Sequence, residues 1–197
     1  MKYYEIRQDI ECDYGVVDSP RLPRSPSGIT ESFLAGRAIK LALPNPLVLT
    51  VDFPKGVPLS HFMGNVIPVF SAAFVDALRS AGVDNFELFP ALLRNPDTGE
   101  EWKGYQAFNE IGLVDAASES GSASNVIMPG GTDPGQVPEL VSYTKLVLDG
   151  AKARNLLMFR LARDPTTLLL HESVVATLNA RQPPGGWGIT LKEIAVV

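Results

Sequence analysis

The chain has 197 residues, of which 45% are hydrophobic and 20% charged, with a formal net charge of −5 and an isoelectric point near 5.1. These values are typical of a globular protein with an ordinary apolar core, and they indicate neither a disordered chain nor a membrane protein. The acidic balance argues against direct nucleic-acid binding, which needs clustered Lys and Arg, and it is compatible with a basic protein partner.

The first eight residues lack the apolar segment of a secretory signal, and no run approaches the roughly 20 apolar residues of a membrane span. We therefore expect a cytoplasmic protein that does not engage a membrane. Cys12 is the single cysteine, which excludes an intramolecular disulfide and a cysteine-rich metal site.

The N-terminal part, residues 1–64, is expected to be the less regular part of the chain. Two aromatics and an isoleucine predict a strand over residues 3–7. Residues 12–27 are predicted to be irregular because three prolines interrupt any ladder or helix. The apolar, β-branched run Leu47–Val51 lies between prolines and predicts a short buried strand.

The clearest helix signal of the first half covers residues 71–81. Its apolar side chains recur at three- and four-residue steps and form one face: Phe70, Phe74, Leu78 and Ala81. Ser71 is a suitable N-cap, and Gly82 can adopt the left-handed conformation that ends a helix.

A β-hairpin is predicted after this helix. Residues 85–93 have a strand pattern that contains Pro90, so this strand is expected at a sheet edge or with a bulge. Residues 95–99 form a turn. The second strand takes its apolar surface from Trp102, Tyr105, Phe108, Ile111 and Val114. Residues 115–138 are rich in Ser, Gly and Pro and predict a long mobile loop. Its glycine-rich stretch lacks the strand and helix of a phosphate-binding loop.

The last third predicts strands over residues 141–148 and 156–161, a short connection through Gly150, and a helix over residues 172–180. His171 lies near the capping position of that helix. Trp187, Ile189 and Leu191 alternate with polar residues and predict a closing antiparallel strand. We therefore predict one α+β domain over residues 1–197, with a mainly antiparallel sheet, two or three packed helices and long irregular loops.

Catalytic, cofactor and metal sites are not predicted. A thiol–imidazole pair could be drawn from Cys12 with His61 or His171, but Cys12 lacks the flanking residues of thiol hydrolases. Metal-ligand spacings of His and Cys are absent from the sequence.

The candidate functional residues are instead acidic and are expected to contact a basic partner. One group lies at the hairpin, beside an aromatic residue: Asp97, Glu100, Glu101 and Trp102. The other group lies in the long loop: Asp115, Glu119 and Asp133.

Several short blocks in a fixed order resemble the bacterial polymorphic-toxin immunity family numbered eleven, once catalogued as a domain of unknown function and common in myxobacteria. The blocks are Val69-Phe-Ser71, Phe86-Glu-Leu-Phe-Pro90, Tyr105-Gln-Ala-Phe-Asn109, Gly112-Leu-Val-Asp115, Lys145-Leu-Val-Leu-Asp149, Met158-Phe-Arg-Leu161 and His171-Glu-Ser173. The resemblance covers about residues 65 to 195. The chain departs from the family at His171, where a serine is frequent, and in the length of the loop over residues 118–136.

The resemblance implies an immunity protein that binds and neutralises a cognate toxin encoded nearby, protecting the producer and its kin. For a nuclease toxin, acidic loops would occupy a basic substrate cleft. Two alternatives stay open. One is a small-molecule enzyme with His61 or His171 as the base, and the other is a general adaptor domain with several partners.

Overall fold

The computed structural model describes residues 1–9, 15–26, 30–64, 66–130 and 139–197. The first half forms β1 (Tyr3–Gln8), β2 (Val16–Asp18), β3 (Leu47–Val51), β4 (Phe62–Met63), β5 (Val69–Ser71), α1 (Ala72–Ser80), β6 (Phe86–Arg94) and β7 (Glu101–Glu110). The second half forms β8 (Leu113–Val114), β9 (Ala123–Met128), β10 (Leu140–Lys145), β11 (Val147–Leu148), α2 (Gly150–Ala153), β12 (Met158–Leu161), β13 (Leu168–His171), α3 (Glu172–Ala180) and β14 (Ile189–Val196).

These strands form two six-stranded sheets and one two-stranded ribbon. The terminal sheet has the order β11-β14-β1-β13-β12-β8, and the central sheet has the order β2-β3-β6-β7-β5-β4. The ribbon consists of β9 and β10. The chain leaves the central sheet after β7 and enters the terminal sheet at β8, so most of the terminal sheet comes from the last third of the chain.

The α+β class is confirmed, and strand pairing is mainly antiparallel as predicted, although both six-stranded sheets are mixed. The pairs β3/β6, β8/β12 and β11/β14 are parallel, whereas the other strand pairs are antiparallel. Parallel neighbours need a long connection between them. The connection from β3 to β6 supplies it, because it contains two short strands and α1.

One hydrophobic core lies between the two sheets and the two longer helices. The central sheet and α1 contribute Phe62, Phe70, Phe74, Val75, Ala77, Leu78 and Phe108. The terminal sheet and α3 contribute Ile6, Met158, Leu168, Leu170, Val174, Val175 and Leu178. Because both sheets bury side chains in the same core, their packing is consistent with the single domain expected from the sequence, which stays a prediction.

Both longer helices begin as predicted, directly after a strand. Ser71 caps α1, and its hydroxyl accepts a hydrogen bond from the backbone N–H of Phe74 at 3.1 Å. His171 caps α3, and its Nδ1 accepts from the backbone N–H of Ser173 at 3.2 Å. Gly82 has a φ of +88°, which is the left-handed conformation expected after α1. The structure adds a one-turn helix, α2, where only a connection was predicted.

Pro90 does not place its strand at a sheet edge, because β6 lies between β3 and β7. The pairing of β6 with β3 begins only at Ala91, so the missing N–H of Pro90 removes no bond on that side. On the other side, the register with β7 shifts between Ala91 and Leu93. Of the two predicted alternatives, the edge position is wrong, and the register shift lies just after Pro90 rather than at it.

Several other boundaries also differ from the predictions. Residues predicted to be irregular include β2, which pairs with β3 before the first proline. Val114, predicted in the hairpin, belongs to β8 of the terminal sheet. The strand predicted over residues 141–148 divides into β10 and β11. The closing strand begins at Ile189, and Trp187 is a buried core residue whose Nε1 donates to the carbonyl of Leu178 at 2.8 Å.

Candidate partner-binding surface

Hydrogen bonds of the Asn95 side chain organise the tip of the β6/β7 hairpin. The buried side chain of Asn95 accepts from the backbone N–H groups of Asp97 and Thr98, and its Nδ2 donates to the carbonyl of Phe53 at 2.7 Å. Gly99 has a φ of +72°, which lets the chain reverse. The turn therefore holds Asp97 in a defined, exposed position.

The four predicted hairpin residues differ in how accessible they are. Asp97 is exposed, and its carboxylate forms no salt bridge with the described residues. Glu101 pairs with Arg94 at 2.7 Å, and both side chains are partly exposed. Glu100 has one buried carboxylate oxygen without a hydrogen-bond partner. Trp102 is partly buried against a second hydrophobic cluster, which includes Leu47, Leu49 and Val51 of β3. Of the four predicted hairpin residues, only Asp97 has a carboxylate that is both exposed and without a salt bridge to the described residues.

Asp115 and Glu119 lie together at the base of the β9/β10 ribbon. Both side chains line a depression of about 80 Å³, together with Ser124 of β9 and Tyr143 of β10. Asp115 and Lys152 are 3.7 Å apart and both are partly exposed, so their pairing is weak. Glu119 is exposed. Arg163 also lines the depression, and Glu139 pairs with it.

The two acidic groups do not form one cluster. Asp97 and Glu101 are at one end of the ten-residue β7, whereas Asp115 follows β8 beyond the other end. A strand of that length spans about 30 Å. Asp133 lies outside the described residues. The structure therefore unites Asp115 with Glu119 and separates both from the hairpin.

Strand β9 of this ribbon was not predicted, because residues 115–138 were expected to be a long mobile loop, of which residues 131–138 lie outside the described ranges. Instead, β9 pairs with β10 from Ala123 to Met128, and all six of its residues are exposed. Val126, Ile127 and Met128 are among the exposed large hydrophobic residues of the protein. The β-branched pair Val126-Ile127 inside a Ser- and Gly-rich segment was the signal that could have indicated a strand.

The two histidines serve helix entry and core packing. The Nδ1 of His61 lies 2.7 Å from the Oγ of Ser71, the α1 cap, and its ring packs edge-to-face on Trp187. Burial lowers the pKa of His61. His171 caps α3. Neither histidine is among the described residues that line the two larger depressions. These are a cleft of about 560 Å³ between the sheets and a groove of about 850 Å³ beside β2.

Other features bear on cofactors and membranes. Cys12 lies outside the described residues. Within the described ranges, His, Cys, Asp and Glu side chains form no group of three that could hold a metal ion. No helix in those same ranges is long and apolar enough to cross a membrane.

A buried ion pair joins the two sheets near the point where the chain passes from one to the other. Glu110 ends β7, Arg160 lies in β12, and their side chains are 0% and 4% exposed with Nε and Oε2 at 3.2 Å. The approach of Nε to Oε2 lacks hydrogen-bond geometry, whereas the Nη1 of Arg160 donates to the carbonyl of Pro165 at 2.8 Å. Burial outweighs the attraction of Arg160 and raises the pKa of Glu110 to about 8. Burial also lowers the pKa of Arg160.

This pKa predicts that the protein loses stability as the pH rises. The ordinary pKa of Glu110 is 4.5 and the folded value is about 8, so the folded state binds more protons between these values. The free energy of unfolding should then fall across that window, by at most about 1.4 kcal/mol per pH unit. Urea denaturation at pH 5.5, 7 and 8.5 measures this slope. Glu110→Gln mimics the protonated carboxyl and should therefore reduce the dependence of the free energy of unfolding on pH. An unchanged dependence in that variant would show that other titratable groups cause it.

Comparison with protein-family models gives a match to the family described as Immunity protein family (Imm11), over residues 4–196. The chain belongs to the Imm11 family. The match extends the resemblance of residues 65–195 to nearly the whole chain, so residues 4–64 of this Imm11 protein also match the family. No curated protein matches the chain.

Imm11 membership supports an immunity-protein role for the chain. In this Imm11 protein, the ribbon, the depression at its base and the hairpin tip are the candidate contacts.

Proposed function

We propose that this Imm11 protein binds a cognate bacterial toxin directly and neutralises it as a stoichiometric inhibitor in the cytoplasm of the producing cell. Family membership over residues 4–196 is the observation that carries the proposal. The net charge of −5 favours a basic toxin, because complementary charge accelerates association and increases selectivity. A nuclease, whose substrate cleft is basic, fits this description.

The proposed contacts are the exposed acidic residues. Asp115 and Glu119 form the more extensive candidate, since they share a depression with the ribbon. Asp97 is the accessible carboxylate of the hairpin, where Glu100, Glu101 and Trp102 are partly engaged within the protein. Asp133 stays a proposed contact that lies outside the described residues.

The test is growth of a host that expresses the toxin encoded by the adjacent gene, with and without this protein, followed by co-purification. We expect restored growth and a complex of defined stoichiometry. Growth arrest in both cultures, with no complex, would contradict the proposed function. Rescue without a complex would favour an enzyme that removes the toxin's product, and capture of several unrelated proteins would favour an adaptor.

Charge reversal separates the two acidic groups. Asp115→Lys with Glu119→Lys should weaken toxin binding by slowing association, and the effect should shrink at high salt. Asp97→Lys with Glu100→Lys is the matched double reversal at the hairpin, which leaves the Glu101–Arg94 pair intact, and surface plasmon resonance measures both double variants. Equal association rates for wild type and both double variants would place the contact outside these carboxylates.

A further inference from the structure

The exposed strand β9 is the most unusual surface of the described chain. Its six residues are all exposed, with Val126 at 55%, Ile127 at 70% and Met128 at 38%. Consecutive strand residues point to opposite faces, so the ribbon presents apolar side chains on both faces near the end of β9. Within the described ranges β9 pairs with β10 alone.

Strands with a free edge are usually protected in proteins. Charged side chains, proline or a covering element prevent another chain from adding to the exposed N–H and C=O groups. Between Ala123 and Met128 there is neither a charge nor a proline. An uncharged, apolar free edge of this kind is the template used when an extended peptide segment adds to a sheet.

We propose that β9 is the docking strand for the toxin, which adds an extended apolar segment along the free edge and places a cationic side chain in the depression beside it. This inference rests on the proposed function. Main-chain hydrogen bonds would align the segment, and Val126 and Ile127 would bury apolar surface against it. Glu119 would receive the cation together with Asp115, whose exposed pairing with Lys152 is weak. Arg163 in the same depression is already paired with Glu139, and Ser124 of β9 lines the depression as well.

A toxin fits this surface better than a second copy of the same chain. A stable interface takes roughly 20–30 residues a side, whereas β9 has 6 residues. A pair of β9 strands would also leave Asp115 and Glu119 without a cation from β9, which carries no charge. A basic toxin supplies that charge and can extend its contacts beyond the ribbon.

The test introduces a lysine at two exposed valines that match closely. Val126 in β9 is 55% exposed, and Val17 in the edge strand β2 is 59% exposed. With catalytically inactivated toxin, calorimetry should show at least about tenfold weaker binding for Val126→Lys, since a lysine would be buried in the interface. Val17→Lys should bind like wild type. Because both sites are exposed, both variants should keep the wild-type circular dichroism and melting temperature.

Hydrogen exchange supplies a second measurement that does not depend on a substitution. The amides of residues 123–128 should exchange more slowly in the wild-type complex than in the free protein, while those of β2 should not change. Wild-type affinity in Val126→Lys, together with unprotected amides in β9, would overturn the docking strand but leave the proposed function standing. Absence of any complex with the wild-type protein would contradict the proposed function itself.

The oligomeric state of the free protein tests whether β9 binds a second copy of the chain instead of the toxin. Light scattering should give the same mass for wild type and Val126→Lys. A wild-type dimer that Val126→Lys converts to monomer would assign β9 to a second copy and overturn the proposal.

Discussion

Glu110→Leu should lower the free energy of unfolding by about 3–5 kcal/mol, because it removes the carboxylate that pairs with the buried guanidinium of Arg160. Both side chains are almost completely buried between the two sheets. A guanidinium does not lose its proton in proteins, so Arg160 cannot relieve the cost by becoming neutral. Urea denaturation at pH 9 measures the loss, because Glu110, with a pKa of about 8, is mostly ionised in the folded protein only above this value.

The reverse substitution should cost less at the same pH. In Arg160→Met, Glu110 can take up a proton, and its pKa is already raised to about 8 by burial. The double variant Glu110→Leu/Arg160→Met should recover most of the lost stability, since an apolar pair can replace a buried ion pair. The exposed pair Glu101 and Arg94 is the matched control, and its double variant should change stability by about 0–1 kcal/mol. Additive losses from the two buried substitutions would show that the pair is not coupled.

Phe74→Ala should lower the free energy of unfolding by about 3–5 kcal/mol, because it opens a cavity in the core shared by both sheets. Phe74 is fully buried on α1. Its ring packs edge-to-face on Phe70 at 5.5 Å and on Trp187 at 5.1 Å between ring centroids. Thermal and urea denaturation both measure this loss.

Two control variants separate the cavity from effects on the helix. Phe74→Leu keeps most of the apolar volume and should cost clearly less than Phe74→Ala. Asp76→Ala changes an exposed position of the same helix and should stay within about 0.5 kcal/mol of wild type. A loss below about 1 kcal/mol in Phe74→Ala would contradict the packing described for this core.

The helices were predictable because their signals are local. Ser71 and His171 are caps whose partners lie two or three residues away, and Gly82 terminates α1 through its own backbone conformation. The hairpin turn around Asn95 is local as well. Strand boundaries were less predictable, since the passage of Leu113–Val114 into the terminal sheet depends on pairing with β12, whose residues are more than 40 positions away.

The candidate site was predictable only in part. The exposure of Asp97 follows from turn chemistry, and the acidity of the surface follows from composition. The engagement of Glu101 by Arg94 depends on cross-strand register, and the neighbourhood of Asp115 and Glu119 depends on the ribbon. The sequence did not indicate the first strand of that ribbon, because a segment rich in Ser and Gly is typical of loops.

The sequence by itself determined the α+β class, the caps and faces of both longer helices, the hairpin and the resemblance to the immunity family. Each of these depends on residues close together in the chain or on blocks in a fixed order. The tertiary structure alone decided the mixed strand directions, the burial of Glu110 against Arg160 and the exposure of β9. Those features depend on which distant segments become neighbours, and long-range pairing is not encoded in any single stretch of sequence.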